Sequence, residues 1–251
     1  MILPPPSSLP RLVGHRGEPR RAPENTLASL RSALEAGAEW VEFDLQMTAD
    51  RVPVLLHDKS LHRTANVRRT PWELTLAQMQ RLDAGYRRQF GDQFAGERIP
   101  TLAEAVALLE SHPGVGAMVE IKSESLRHFG APILMDRVLA ELAPLQGRCV
   151  LIATRMRALR RARHGGFPVG LIFFEWTPVV RRRAERLAPE WLLTGEKAPP
   201  PGVPLWPGPW RWCFWGVETP QRALELGQRG ATLVESDEIS ALISHPYWRK
   251  G

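Results

Sequence analysis

The sequence predicts an α/β protein closed into a (β/α)8 barrel, and three observations carry that expectation. Short apolar strands alternate with amphipathic helices along nearly the whole chain, about eight such units fill 251 residues, and no linker or fixed-period repeat marks a second domain. The alternation implies parallel pairing, because a crossover between parallel strands needs a helix on the sheet face. The chain is therefore expected to be one domain, 1–251, with residues 59–100 inserted within it.

In chain order, Arg11–Gly14 (RLVG) opens as a strand. Pro23–Gly37 reads as a helix, with Pro and Glu in its first turn, Gly at its end, and Leu27, Leu30 and Leu34 at helical spacing. Trp40–Gln46 (WVEFDLQ) and Val52–His57 (VPVLLH) are apolar strands. Lys59–Pro100 is too long for one connection and carries its own helical piece at Leu74–Leu82, so it reads as an insertion after the second strand. Helix Thr101–Ser111, strand Gly116–Lys122 and helix Pro132–Ala143 resume the alternation. Strand Cys149–Thr154, helix Met156–His164, strand Pro168–Glu175 and helix Pro178–Leu187 continue it to a sixth strand, Glu190–Gly195. Ala198–Trp210 (APPPGVPLWPGPW) occupies the place of the sixth helix, and its prolines remove donors and block helix continuation, so a loop is expected there. Arg211–Val217, Gln221–Arg229, Thr232–Ser236 and Ile239–His245 complete two more units.

Hydrophobic residues make up 43% and charged residues 24%, ordinary values for a folded globular chain. No apolar run approaches the roughly 18 residues that a membrane span needs, so no integral membrane association is expected. The N-terminal segment lacks a basic start and an apolar stretch, and two cysteines make no disulfide framework, which together fit a cytoplasmic protein. The +6 charge raises the question of a nucleic-acid partner, but no recognition motif or basic ribbon interleaved with aromatics accompanies it. A G/C-rich coding bias, which also favours Ala, Pro and Gly, accounts for the arginine-dominated charge at least as well.

Strand parity then brings chemistry together. In a barrel, alternate side chains of each strand point inward and the site forms at the C-terminal strand ends. In Val41-Glu42-Phe43-Asp44-Leu45 the apolar residues face the helices while Glu42 and Asp44 share the inner face; Val119-Glu120-Ile121-Lys122 repeats the arrangement with Glu120 and Lys122. Half-exposed antiparallel strands would also alternate in this way, but a barrel strand has no open outer face. A salt bridge from Lys122 to one carboxylate would leave the other two unpaired. Three carboxylates around one hard divalent cation, Mg²⁺ or Ca²⁺, satisfy all of them.

His15, in Gly14-His15-Arg16-Gly17, and His57, ahead of Asp58, stand at C-terminal strand ends beside these acids, with the glycines permitting close backbone approach to a ligand. Together they read as an acid–base pair. With a divalent cation, the three carboxylates and the cations Arg16 and Lys122 leave one net positive charge, which a phosphodiester monoanion cancels. Arg16 and Lys122 are the candidate phosphate ligands.

His15-Arg16-Gly17, Pro23-Glu24-Asn25-Thr26, Gly37-Ala38, Glu42 with Asp44, Thr48 with Asp50, Pro53-Val54, His57-Asp58, Leu61 with Arg63-Thr64, Ile99-Pro100-Thr101-Leu102 followed by Glu104, and Glu120 with Lys122 stand in order over Arg11–Lys122. This half of the chain resembles the glycerophosphodiester phosphodiesterase family. The resemblance implies a TIM barrel with a small insertion after its second strand, Glu42, Asp44 and Glu120 as metal ligands, His15 and His57 as acid and base, and Arg16 and Lys122 on the phosphate. It implies hydrolysis of small-molecule glycerophosphodiesters to sn-glycerol 3-phosphate and an alcohol, with a lysophospholipase D or another phospholipid-headgroup phosphodiesterase as the alternative. A catalytically dead phosphate-binding barrel is disfavoured because each expected residue is present.

The second half departs from the family pattern. Ala153-Thr154-Arg155 stands where a Ser-Phe pair is common, Trp215-Gly216-Val217-Glu218 where Trp-Thr-Val-Asn is, and Ser236-Asp237 where Thr-Asp is. By resemblance Trp215 walls the glycerol site. Phe173, Phe174, Trp206 and Trp210 are expected to form a more apolar rim.

Overall fold

The computed structural model describes residues 9–249; the segment 1–8, most of the N-terminal stretch read above for leader features, lies outside them. Nine strands occur among the described residues: β1 (Arg11–Gly14), β2 (Trp40–Met47), β3 (Pro53–Leu55), β4 (Gly116–Ile121), β5 (Cys149–Ala153), β6 (Val169–Ile172), β7 (Trp191–Gly195), β8 (Arg211–Trp215) and β9 (Ala231–Ser236). Eight pair in parallel in the order β1-β9-β8-β7-β6-β5-β4-β2, and pairing of β1 with β2 closes the ring. This is the TIM barrel that the alternation predicts.

Side-chain parity divides the apolar residues into two layers. Val13, Met118, Val150, Ile152, Ile172, Leu193, Cys213 and Leu233 fill the barrel interior. Val41, Phe43, Leu45, Val119 and Ile121 face outward and pack on the surrounding helices. The insertion builds a small core of its own from Val54, Leu56, Leu61, Leu74, Met79, Ala84 and Ile99.

Several elements differ from their sequence reading, each for a local reason. The first helix runs Leu27–Glu35, so Pro23 and Glu24 precede it rather than occupying its first turn. Asn25 is left-handed at φ 56° and breaks the helical path, and the Thr26 hydroxyl caps the Ser29 N–H. Of Val52–His57 only Pro53–Leu55 is strand; it lies antiparallel on β2, outside the ring, and His57 follows it. Helix Ser123–Phe129, not foreseen, starts immediately after Lys122 without a side-chain cap to announce it.

The glycines of Gly14-His15-Arg16-Gly17 serve packing rather than ligand approach. A Cβ on Gly17, whose φ is +86°, would stand 2.4 Å from the Ser29 carbonyl carbon, and one on Gly14 would stand 2.6 Å from the Gly17 oxygen. The β1 loop therefore presses on the first helix with no room for a side chain.

The proline-rich segment between β7 and β8 contains no helix. Its tryptophans instead fill the space a helix would cover. Trp206 stacks on Trp176 (4.0 Å between centroids) and on Phe173 (5.3 Å), and the Trp210 indole N–H donates to the Trp206 carbonyl. This corrects the expected apolar rim, because Phe173, Trp206 and Trp210 are buried and only Phe174 of the four is exposed, at 71%. Trp206→Ala is expected to destabilise the fold by about 3–5 kcal/mol, measured by urea denaturation. A loss near zero would mean that the cluster does not substitute for the helix. No helix among the described residues is long and apolar enough to cross a membrane.

Candidate active site

The site grows from the C-terminal ends of β1, β2, β4 and β9. In the β2–β4 register Asp44 lies directly beside Glu120, with Glu42 one step deeper on the same face of β2. Glu42 and Asp44 are 2% and 1% exposed. One carboxylate oxygen from each of Glu42, Asp44 and Glu120 lies within 4.8 Å of the others.

Their neighbours complete the electrostatics. Lys122 Nζ sits 3.2 Å from Asp44 Oδ1 and 3.0 Å from Glu120 Oε1, so its salt bridge reaches two of the three acids rather than one. Arg16 Nε is 3.2 Å from Asp44 Oδ2, and the Arg16 backbone N–H donates to Glu42 Oε2 at 3.0 Å. Arg16 adopts φ 54°, the left-handed conformation that aims this N–H at the cluster. The Asn25 amide donates to Asp44 Oδ2 at 2.8 Å, which explains the break before the first helix.

Proton affinities follow from these contacts. Burial, then the charges of Asp44, Glu235 and Glu120, push the Glu42 carboxyl well above the usual range. Burial and Asp44 raise Glu120 to about 7, against the pull of Lys122. Burial also pushes Asp44 upward, but Lys122, Arg16, His57 and the Asn25 amide overcome it and hold the group well below the carboxylate range. Three hard oxygen donors crowded in this way, with no thiolate or imidazole in the cluster, fit a divalent cation that neutralises them together.

Each candidate histidine carries an orienting acid. His15 Nδ1 is 2.7 Å from Asp237 Oδ1, and its Nε2 faces Glu42 Oε2 at 3.9 Å. Burial lowers its proton affinity, yet the Asp237 hydrogen bond and nearby acids leave it raised overall. His57 Nδ1 is 2.8 Å from Asp58 Oδ1; burial, with Arg16 and Lys122, leaves that ring lowered despite Asp44. Arg63 then locks Asp58 in a fork, Nε to Oδ2 at 2.7 Å and Nη2 to Oδ1 at 3.0 Å, and holds Glu24 with both terminal nitrogens. Glu24 in turn accepts from Arg16 at 3.1 Å, joining the two histidine loops in one ionic network.

Seven of the eight candidate residues therefore meet in this network. Trp215, the eighth, is set apart. It packs edge-on against Phe174 at 5.6 Å and borders a neighbouring depression with Glu196 and Lys197, whereas His57, Glu120 and Lys122 line the main cleft. The sequence reading quotes Asp237, Asp58, Arg63, Glu24 and Asn25 as motif positions but gives none of them a role, and the structure puts all five in contact with the candidate residues or their partners. His57-Asp58 adjacency was a usable signal; the pairing of His15 with Asp237, 222 residues away, was not. Glu235 was also missed. It is buried inside the barrel and accepts the Cys213 thiol proton at 3.4 Å, and its carboxyl is pushed up, chiefly by burial.

Comparison with known proteins places these residues in a family. The model of the glycerophosphoryl diester phosphodiesterase family matches residues 15–144, just over half of the chain. A glycerophosphodiester phosphodiesterase of Caldanaerobacter subterraneus subsp. tengcongensis is 41% identical over 112 residues, which cover 45% of this chain and 45% of that protein. Glycerophosphodiester phosphodiesterase 1 of Bos taurus is 43% identical over 100 residues, covering 40% of this chain and 30% of that protein. The matches thus span less than half the length of these relatives. A phosphodiesterase of Oleispira antarctica, solved with its product sn-glycerol-3-phosphate, superposes with a TM-score of 0.80 at 26% identity, covering 94% of this chain and 96% of that one. With the motif segment and the barrel both matched, the chain belongs to the glycerophosphoryl diester phosphodiesterase family.

Proposed function

We propose that this barrel, a single domain carrying the 59–100 insertion, hydrolyses glycerophosphodiesters to sn-glycerol 3-phosphate and an alcohol, with one Mg²⁺ or Ca²⁺ bound. The observation that carries the reading is the convergence of Glu42, Asp44 and Glu120 within 4.8 Å beside two histidines that each hold a carboxylate partner. Relatives bearing the phosphodiesterase name, and the product-bound Oleispira antarctica structure, support the substrate class.

Glu42, Asp44 and Glu120 would hold the ion. When bound, it supplies positive charge that stabilises the phosphoryl oxygens as negative charge builds on them. The chain's own residues do the rest. Lys122 and Arg16, which pair with the acids here, would offer their donors to the phosphate oxygens. One imidazole removes the proton of the nucleophile, water or the glycerol 2-hydroxyl, and the other protonates the leaving oxygen. Asp237 and Asp58 fix the two rings through their Nδ1 atoms, leaving Nε2 for the substrate. The buried, unpaired thiols of Cys149 and Cys213 suit a cytoplasmic setting.

Purified protein is expected to release sn-glycerol 3-phosphate from glycerophosphocholine or glycerophosphoethanolamine. Chelator is expected to abolish release, and Mg²⁺ or Ca²⁺ to restore it. Undiminished turnover in chelator would sink the metal requirement, and no release from either substrate would sink the reading itself. One observation favours a second reading, a lysophospholipase D: Phe174 stands exposed on the lip of the cleft. Cleavage of lysophosphatidylcholine faster than glycerophosphocholine decides for it.

A further inference from the structure

The site opens into a cavity of about 760 Å³ whose inner wall holds His57, Glu120 and Lys122. Its outer wall comes from the loops after β5 and β6 and from the start of helix Pro178–Leu187. Lys59, Arg155 and Arg183 stand on this lining, exposed, and none of their side chains makes a hydrogen bond or ion pair with another described residue. Most carboxylates of the same cavity are already engaged. Asp58 is clamped by Arg63, Glu120 by Lys122, and Glu124 by Arg127 at 2.9 Å; Glu175 is the exposed exception. The unpaired charge of the outer cavity is therefore predominantly positive.

Unpaired cations are ordinary on a convex surface. On a concave wall with low-dielectric sides they focus a field on whatever occupies the cavity. If the ion and the histidines hold the scissile phosphate, as proposed above, one substituent of that phosphate extends into this cavity. We propose that the preferred alcohol carries its own anionic group, a phosphomonoester, which Arg155 and Arg183 bind with Lys59 contributing charge. Guanidinium forks match phosphate oxygens in pairs, whereas a choline cation would meet repulsion from the same wall.

The test compares glycerophosphoinositol 4-phosphate, glycerophosphoinositol and glycerophosphocholine as substrates of the wild type and of the Arg155→Ala, Arg183→Ala double variant. The wild type is expected to favour the phosphorylated substrate by about tenfold in kcat/KM, through KM. High salt is expected to shrink this preference. The double variant is expected to lose it and to cleave glycerophosphocholine at least as fast as wild type, since the wall that repels choline is then mostly removed. Equal kcat/KM for the two inositol substrates overturns this inference and leaves the phosphodiesterase reading standing. If none of the three is cleaved, that reading fails, and calorimetric binding of glycerophosphoinositol 4-phosphate in chelator still decides the inference. Tighter binding by wild type than by the double variant supports it; equal affinity overturns it.

Discussion

His15→Ala and His57→Ala are each expected to lower turnover by about 10²–10⁴-fold while leaving ion binding intact. Neither imidazole belongs to the carboxylate cluster, so removing one deletes a proton carrier without removing a ligand. Asp237→Asn tests the orienting acid separately. The amide cannot support a charged ring as the carboxylate does, so turnover should fall to between wild type and His15→Ala, and the pH profile should shift toward lower pH. That direction follows from the Asp237 hydrogen bond, which raises the His15 ring above its ordinary value. The readouts are kcat across pH and a calorimetric titration with Mg²⁺ or Ca²⁺. Full activity in either alanine variant rules out the paired-imidazole mechanism.

Glu42→Gln is expected to abolish ion binding while leaving the metal-free protein at least as stable as wild type. Glu42 is buried beside two other carboxylates, and that crowding is what pushes its carboxyl well upward. An amide of the same shape removes the repulsion and still accepts the Arg16 N–H. With wild type, ion at a hundred times its Kd should add about 2.7 kcal/mol of stability, seen as a rise in Tm. With Glu42→Gln the rise should vanish. Turnover should fall by more than about 100-fold, since even residues that only support a metal ligand are worth 10–100-fold. A variant that keeps the ion-dependent rise in Tm would show that the ion sits elsewhere.

Much of this architecture is legible along the chain because it depends on short periods. The alternation of strand and helix implies parallel pairing, and the period of two in Glu42-Phe43-Asp44 and Glu120-Ile121-Lys122 puts charges on the inner face. The helix read over Thr101–Ser111 is present, and its start is fixed by a reciprocal cap in which Thr101 Oγ1 accepts the Glu104 N–H and the Glu104 carboxylate accepts the Thr101 N–H. Where the reading erred, the local signal was weak or overridden. Pro23-Glu24-Asn25 looks like a helix start, yet the Asn25 amide is drawn to Asp44 and the backbone turns left-handed to deliver it. Phe173, Trp206 and Trp210 have the composition of a rim, but burying large rings in the gap left by a missing helix is worth more than exposing them.

Residue types and their spacing carried the chemistry: which acids share a face, which histidines stand at strand ends, and where a helix is forbidden by proline. Closure of β1 on β2 and β9 settled the rest. It brought Asp237 to His15 and, through Arg63, tied Glu24 to Asp58. The neighbouring run β3-β2-β4-β5-β6 set three unpaired cations on the wall of the cavity where the leaving alcohol would lie. Such contacts join residues tens to hundreds of positions apart, and no local periodicity encodes a distance that only the finished ring imposes.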